Sequence, residues 1–422
     1  MYLWVGTIIF LLTLGVIIVR PRHISEAAAA AAGAALLVVL GYVHPSTAVE
    51  AITSQWNLYG FFLGLMIVSA IAEEAGVFEM LASLAGRWAR GSSLRLYLAV
   101  FAIGTLITAF LTNDATALIL TPVVYALVSR LRLPVLPFMF ACTFIADSAS
   151  FLLPVSNPIN VLVLDSFSGN GLGTFLRYLL LPSLVCIGLN TGLFIWLFRR
   201  DLRHSYNLGD LQHFKPDNLH YFRFVLIAMA LIAAAYLAAS ALQIPLSFIA
   251  LSAAALLLAG SAYFRALNFT KLRKGISWSL FVFVTGMFLM IKAVENLGLT
   301  AAFGNALLHL SGNSPFRSVL LIAGGSALGA NLINNLPMAL VMVSALSKIG
   351  ITPANVHLVY ATILGADLGP NLTTVGSLAT MLWLLILRRK GLDISSLEYF
   401  RLGILFVPVI VVIGSVLIWL GV

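Results

Sequence analysis

An acidic residue inside a long apolar stretch limits the folds that this chain can adopt. Residues 94–129 are mostly apolar, but Asn113 and Asp114 interrupt them near the centre. A continuous helix of that length would measure about 54 Å, whereas the hydrocarbon core of a bilayer is about 30 Å thick. Because Arg90 and Arg130 put basic charge at both ends, we predict a re-entrant hairpin that enters and leaves on the cytoplasmic side. Placing a charged carboxylate at the tip, inside the membrane, costs on the order of 3 kcal/mol. Because such a residue is kept there mainly for a function, Asp114 predicts a functional site.

The composition agrees with a protein that folds inside a membrane. Hydrophobic residues make up 61% and charged residues 9% of the 422 residues, whereas a soluble domain is about 25% charged. That length accommodates roughly ten spans of about 20 residues. We therefore predict an all-α polytopic membrane protein with ten transmembrane spans. The net charge of +9 then reports loop topology, and it does not predict nucleic-acid binding.

Several classes of chemistry lack their usual sequence motifs. The chain has no G-x-x-x-x-G-K loop, so we expect no ATP motor of its own. Its two cysteines, Cys142 and Cys186, both lie in apolar segments and predict neither a disulfide framework nor a thiolate metal site. The seven histidines form no zinc-binding cluster. We therefore predict a protein that is not an enzyme and that needs no cofactor, catalytic residue or metal.

Polar landmarks recur in the second half of the chain. Asn334 and Asn335 interrupt another apolar stretch about 220 residues after Asn113 and Asp114. Gly298, Asp367 and Ser377 follow Gly76, Asp147 and Asn157 at about the same spacing. We interpret the pattern as two inverted repeats, over residues 57–168 and 277–389. Long repeats with interrupted apolar segments are typical of secondary transporters.

Each predicted repeat contains a hairpin followed by a broken helix. The first has its hairpin at 94–129 and its broken helix at 134–167, and the second has them at 316–347 and 354–388. The second hairpin is expected to enter from the outer side. Asn157 is a favourable N-cap because Pro158 follows it, so we predict that a half-helix starts there with its positive end inside the membrane.

The remaining segments complete the predicted topology. Residues 1–56 contain two spans, the first closed by Arg20 and Arg22, and residues 169–276 link the repeats through a cytoplasmic loop at 199–223. Residues 390–422 form the last span. Both termini are predicted to lie outside the plasma (inner) membrane of a prokaryote. This topology leaves few of the 24 Lys and Arg residues outside, namely Arg177, Lys292, Arg317 and Lys348.

The hairpin tips and helix breaks are expected to converge near the middle of the membrane. The stretches that form them contain three carboxylates and no Lys, Arg or His. Such a pocket suits a cation, or a small neutral solute exchanged against a proton, better than a dicarboxylate. Asp114, Asp147 and Asp367 are the predicted proton carriers. The predicted substrate-binding residues are Asn113, Asp114, Asp147, Ser148, Ser156, Asn157, Asn334, Asn335, Asp367, Thr373, Thr374 and Ser377.

At these residues the chain resembles the ArsB-type arsenite permeases of the ArsB/NhaD group in the ion transporter superfamily, over nearly its whole length. The motifs that carry the resemblance are NDATALILTP at 113–122, ADSAS at 146–150, NNLPM at 334–338 and GADLGPNLTTVGSLATMLW at 365–383. Thr112, Thr116 and Asn371 depart from the pattern expected of that family.

The resemblance implies efflux of arsenite and antimonite in exchange for protons, in some members with a cytoplasmic ArsA-type ATPase. Arsenite is a neutral trihydroxide at neutral pH. Because two cysteines cannot supply a thiolate trio for As(III), we expect the hydroxide form to be carried.

Other functions remain open on the sequence. A sodium/proton antiporter of the NhaD type is the nearest alternative, because acidic pockets also bind Na⁺. A carboxylate carrier would need a basic residue or paired Ser-Asn-Thr motifs. An intramembrane aspartyl enzyme built on Asp147 and Asp367 would leave the repeats and hairpins unexplained, and a purely passive channel is a further alternative.

Overall fold

A computed structural model describes residues 3–19, 25–167, 171–211, 214–242, 244–312, 314–374 and 376–421. These residues form helices and short connections, and within them the only β-type pairing is an isolated bridge between Ser92 and Ser205. The predicted basic closure of the first span, at Arg20 and Arg22, lies outside the described residues.

The first half of the chain contains eleven α-helices among the described residues. They are α1 (Leu3–Val19), α2 (Glu26–Val39), α3 (Pro45–Thr53), α4 (Trp56–Glu74), α5 (Val77–Trp88), α6 (Ser93–Phe110), α7 (Asn113–Ala115), α8 (Thr121–Arg130), α9 (Val135–Ser148), α10 (Pro158–Ser166) and α11 (Leu172–Leu197). A π-helical turn over Thr116–Leu120 joins α7 to α8, and a 3₁₀ turn over Pro154–Ser156 precedes α10.

The second half of the chain contains ten α-helices among the described residues. Its described helices are α12 (Leu219–Ala241), α13 (Leu246–Tyr263), α14 (Phe269–Gly275), α15 (Trp278–Asn296), α16 (Leu299–Ser311), α17 (Pro315–Ile333), α18 (Asn335–Ile349), α19 (His357–Leu368), α20 (Leu378–Arg389) and α21 (Ser396–Leu420). A 3₁₀ turn over Gly369–Leu372 follows α19.

Eight helical segments in the described part are long and apolar enough to cross a membrane by length and composition. Two of them, α6 and α17, are arms of the predicted hairpins, whereas α1, α2 and the broken helices are shorter than such a span. The number of crossings therefore stays a prediction. The sequence analysis did not predict α3, α5, α14 or α16. The second part of the first broken helix, α10, continues to Ser166, so Asp165 and Ser166 are helical. Residues 168–170, which follow it, lie outside the described residues.

Both predicted hairpins reverse the chain direction. The hydroxyls of Thr108 and Thr116 are 2.7 Å apart, although eight residues of straight helix would separate them by about 12 Å. In the second hairpin, Gly329 on α17 lies directly against Met338 on α18. Asn334 makes that turn with a positive φ of 74°. The chain therefore turns at Asn113 and at Asn334, and the re-entrant insertion of the two hairpins stays a prediction.

Close packing of small residues joins the two halves. A Cβ atom added to Gly64 on α4 would lie 2.4 Å from the backbone of Ala250 on α13. A Cβ added to Gly286 on α15 would lie 2.7 Å from the backbone of Ala30 on α2. Small residues let helix backbones approach each other closely in membranes, where dispersion contacts drive helix association. Each half thus supplies a packing partner for the first long helix of the other predicted repeat.

Two left-handed glycines make equivalent turns. Gly76, with φ +84°, separates α4 from α5, and Gly298, with φ +77°, separates α15 from α16. A positive φ is readily adopted only by glycine, so both helices can stop abruptly and reverse. The sequence landmark at Gly76 and Gly298 therefore corresponds to a shared local geometry.

The loop predicted at 199–223 folds onto the protein instead of extending from it. The Ser93 amide donates to the His204 carbonyl at 3.2 Å, and the Tyr206 amide donates to the Gly91 carbonyl at 2.9 Å. The Tyr206 hydroxyl donates to the Gly86 carbonyl at 2.6 Å, and Phe214 covers Gly76. The loop is therefore docked against α5 and the start of α6.

Candidate functional site

Asp147 and Asp367 occupy the same position in their helices. Each is the penultimate residue of a helix that ends at a break: Asp147 in α9 and Asp367 in α19. Both side chains are 0% exposed. A buried carboxyl is costly unless it is neutral or hydrogen bonded, so the partners of these two groups determine what the site can do.

One oxygen of each carboxyl is held by an asparagine amide. Asn113 donates through Nδ2 to Asp147 Oδ1 at 3.4 Å, and Asn157 donates through Nδ2 to Asp367 Oδ1 at 2.8 Å. The second oxygen, Oδ2, is buried in both cases and has no hydrogen-bond partner among the described residues. Each carboxyl is therefore oriented by one amide and keeps one oxygen for a proton, water or solute.

The third predicted carrier, Asp114, joins this cluster from the first hairpin. It lies half-buried in the first turn of α7, beside Asn113. Asp114 is close enough to Asp147 for their charges to interact, and the same is true of Asp147 and Asp367. The structure thus brings the three predicted proton carriers to one place, where like charges oppose simultaneous ionisation.

Two helix N-termini begin at the breaks. Asn157 Oδ1 accepts from the Ile159 amide at 3.1 Å, and Ser377 Oγ accepts from the Thr380 amide at 3.1 Å. Both capping residues have extended backbones, and Pro158 stands at the first helical position of α10 as predicted. The positive ends of α10 and α20 are therefore directed into the site, where they favour oxygen-rich or anionic groups.

The other predicted residues mostly tie elements together. Ser156 Oγ donates to the Ala109 carbonyl at 3.3 Å, joining the first break to its hairpin. Thr373 Oγ1 donates to Asn331 Oδ1 at 2.7 Å, joining the second break to α17. Thr374 instead lies 3.3 Å from the Ser396 hydroxyl of α21. These contacts favour a positioning role for the three hydroxyls.

The second hairpin approaches the second break through its backbone. The Asn335 amide donates to the Gly376 carbonyl at 3.0 Å. The side-chain oxygens of Asn334 and Asn335 both accept from the Leu336 amide, at 3.4 and 3.0 Å. Within the described residues no hydrogen bond joins either side chain to the three carboxyls. These two asparagines therefore cap α18, and their predicted contact with a solute stays a prediction.

The sequence analysis missed Asn190, which lies in the middle of α11. Its Nδ2 donates to Ser148 Oγ at 2.6 Å and to the Phe144 carbonyl at 3.2 Å. Asn190 is thus the direct partner of the predicted site residue Ser148, next to Asp147. Its only signal in the sequence is an amide within an apolar span. A polar residue at that depth usually faces other helices.

Substituting Asn190→Leu is expected to lower the stability of the folded protein by about 1–2 kcal/mol, because the end of α9 loses two hydrogen bonds. The measurement is the thermal unfolding temperature of the purified protein in detergent. Thr191→Val is the matched control, since the hydrogen bond that the Thr191 hydroxyl makes among the described residues goes to the Ile187 carbonyl of its own helix. Equal melting temperatures for both variants would contradict a bracing role for Asn190.

A cavity of about 1200 Å³ opens beside the first hairpin. It is bordered by the end of α4, by α5, α8 and α14, and by the docked loop. Acidic and basic side chains both line it, among them Glu73, Arg130 and Lys271. The Lys271 ammonium forms a salt bridge with the Glu74 carboxylate at 2.8 Å. Pro122 also lines it, two residues after the π-helical turn Thr116–Leu120 of the first hairpin. π-helical turns recur at functional sites.

Comparison with known families identifies the chain. Residues 5–420 match the family model ArsB, described as arsenical pump membrane protein. The chain belongs to the ArsB family. It is 32% identical over 415 residues to the arsenical pump membrane protein of Escherichia coli (strain K12) and 33% identical to that of Yersinia enterocolitica, with 96% of each chain covered. The expected family is therefore confirmed, and this ArsB-family chain is a multi-pass membrane protein.

A solved structure shares the fold of this ArsB-family protein. The YdaH transporter of Alcanivorax borkumensis superposes with a TM-score of 0.60 over 98% of both chains, at 15% sequence identity. That identity supports a common all-helical architecture and nothing finer.

Proposed function

We propose that this ArsB-family protein exports arsenite and antimonite, as neutral trihydroxides, from the cytoplasm in exchange for protons. The relatives in Escherichia coli and Yersinia enterocolitica are named arsenical pump membrane proteins. The observation that carries the proposal is the pair Asp147 and Asp367. Each is fully buried, oriented by one asparagine amide, and left with one oxygen that has no partner among the described residues.

The chemistry of the site supports a neutral, hydrogen-bonding solute. The stretches 111–122, 146–158, 331–338 and 365–383 contain amides, hydroxyls and carboxyls but no Lys, Arg or His. A trihydroxide can donate to carboxylate and amide oxygens and accept from amide hydrogens. Cys142 and Cys186 are both buried in the core, and two cysteines cannot form a thiolate trio. The substrate-binding role of the predicted residues is part of this proposal.

Proton exchange provides the driving force in this proposal. A proton moving inward across about 150 mV releases about 3.5 kcal/mol, which sustains a concentration ratio of a few hundredfold for a neutral solute. Protonation also removes the cost of a buried charge when the site closes. Asp114, Asp147 and Asp367 would therefore take protons from outside and release them inside.

The proposed mechanism uses two inverted repeats, at 57–168 and 277–389, with hairpins that enter from opposite sides. The equivalent turns at Gly76 and Gly298 and the equivalent caps at Asn157 and Ser377 support it. Ten crossings with both termini outside a prokaryotic inner membrane complete the proposal. The 1200 Å³ cavity would be the cytoplasmic access route, and association with an ArsA-type ATPase stays a prediction.

The decisive experiment is arsenite accumulation in everted membrane vesicles without ATP. With an imposed proton gradient that is acid inside the vesicles, we expect arsenite to accumulate in the lumen. This accumulation should collapse when a protonophore is added. Vesicles from cells that lack the protein provide the control.

Two outcomes would overturn the proposal. Accumulation that persists with protonophore would contradict proton coupling. No accumulation, together with Na⁺-dependent proton movement in the same vesicles, would reassign the protein to sodium/proton exchange while leaving its fold unchanged.

A further inference from the structure

Three hydroxyl side chains lie near Asp147, whose second carboxyl oxygen has no hydrogen-bond partner among the described residues. Thr143 lies one helical turn before Asp147 on α9, Thr380 lies in the first turn of α20, and Tyr399 lies near the start of α21. All three side chains are buried, at 1%, 0% and 0% exposure. None of them belongs to the proposed substrate-binding set. We call Asp147, Thr143, Thr380 and Tyr399 the hydroxyl cluster.

Ring contacts fix the position of Tyr399. Its ring centroid lies 5.3 Å from that of Phe144 on α9 and 5.9 Å from that of Trp383 on α20. The Trp383 indole is itself anchored by donation to the Met139 carbonyl at 3.0 Å. Tyr399 is therefore wedged between the two broken helices, one from each half of the chain. Two χ angles locked by aromatic neighbours leave its hydroxyl little freedom to move.

The polar ends of the cluster face one another. The Tyr399 hydroxyl is close to Thr143 and Thr380, and Thr380 is close to Asp147. Besides Tyr399, the titratable groups that interact with Asp147 are Asp114 on the hairpin and Asp367 on α19. The cluster thus adds neutral donors to the surroundings of Asp147, besides the Asn113 amide.

These polar atoms do not satisfy one another directly. Asp147 Oδ2, Thr143 Oγ1 and Tyr399 Oη are all buried without a hydrogen-bond partner among the described residues. Leaving one such group unpaired is destabilising, because it has lost its hydrogen bonds to water and gained none in the protein. Buried polar groups that approach without direct bonding are commonly bridged by ordered water, which makes about three hydrogen bonds. A water molecule bound here would have several polar partners, because these buried atoms all lack a hydrogen bond among the described residues.

We propose that the hydroxyl cluster holds bound water against Asp147 Oδ2 and that this oxygen is where the proton is received. A hydrated proton in the cluster gives its proton to Oδ2, so one O–H bond forms on the carboxyl and one breaks on the water. Asn113 keeps its bond to Oδ1 throughout. Tyr399 is a positioning residue, because its hydroxyl orients the water and stabilises the charged carboxylate. The role in coupling rests on the proposed function, whereas water binding does not.

The test compares Tyr399→Phe with Tyr236→Phe. Tyr236 on α12 is also fully buried, and its hydroxyl likewise lacks a partner in the described part of the chain, but it packs against Phe61 and not against the site. Removing a donor from a carboxylate favours its protonated form. Half-maximal transport by Tyr399→Phe should therefore shift to higher pH by on the order of one unit. Tyr236→Phe should match the wild type.

A second measurement does not depend on transport. Infrared difference spectra of the full-length protein in liposomes, recorded between acid and alkaline pH, should contain a carboxylic C=O band that disappears in Asp147→Asn. In Tyr399→Phe and in Thr143→Val that band should shift in frequency, while Tyr236→Phe leaves it in place. Thr143→Val keeps the shape of the side chain and is informative even if Tyr399→Phe does not fold.

The outcomes separate this inference from the proposed function. A band that shifts in both cluster variants, together with a wild-type protein that shows no proton-coupled arsenite transport, would support the cluster and overturn the function. Normal wild-type transport, with an unchanged pH midpoint and an unchanged band in both cluster variants, would overturn the cluster alone.

Discussion

Asp147→Asn is expected to reduce proton-driven arsenite accumulation in everted vesicles from a few hundredfold to an inside-to-outside ratio of about one, and Asp367→Asn should do the same. Asparagine keeps the shape of the side chain and an oxygen for the amide of Asn113 or Asn157. It cannot bind or release a proton, so the gradient no longer drives transport. The accumulated arsenic is measured after filtration of the vesicles.

Asp393→Asn is the matched control for these two variants. Asp393 lies in the loop between α20 and α21, its side chain is 83% exposed, and its pairing with Arg388 is a surface contact. Exposed pairs of this kind contribute about 1 kcal/mol or less. Accumulation that survives in both Asp147→Asn and Asp367→Asn would remove the two buried aspartates from the coupling mechanism.

Gly365→Ala is expected to cause the largest loss of stability of any single methyl addition proposed for this chain. The new Cβ would lie 2.1 Å from the Ala323 carbonyl oxygen and 2.7 Å from Ser326 Cβ. Helices α17 and α19 must then separate, and overpacking of this kind typically costs about 1–3 kcal/mol. The thermal unfolding temperature in detergent should fall by on the order of 5 °C. Arsenite transport should fall with it, because α19 carries Asp367.

Gly324→Ala, on α17, is the matched control for this prediction. An added Cβ at Gly324 meets no atom within 4 Å, and alanine is the better helix former. Its melting temperature should equal or exceed that of the wild type. If both alanine variants have the same thermal unfolding temperature, the close approach of α17 and α19 at Gly365 is not what stabilises this pair of helices.

Local features of the fold could be predicted because they depend on short-range physics. The tips at Asn113 and Asn334 interrupt apolar stretches too long for one crossing, and the cap at Asn157 is a preference of the dipeptide Asn-Pro. Helices α5 and α16 were not predicted, since they are short and follow directly from long apolar helices. The left-handed glycines before them, Gly76 and Gly298, were the available signal.

The partners within the site could not be predicted from the sequence. Asn113 binds the aspartate of its own predicted repeat, whereas Asn157 binds Asp367 in the other. Nothing in the spacing distinguishes these pairings, because both depend on how distant helices cross. Tyr399 and Asn190 were missed for the same reason. Each is a single polar group in an apolar span, and its importance appears only when α9 is packed against it.

The two close helix contacts, α4 with α13 and α15 with α2, have a consequence for how the chain is divided. If the protein is cut in the loop at 199–218, each fragment lacks the helix that packs against the glycine of its first long repeat helix, Gly64 of α4 or Gly286 of α15. The helices of the two halves are therefore interleaved. We expect that neither fragment folds stably without the other.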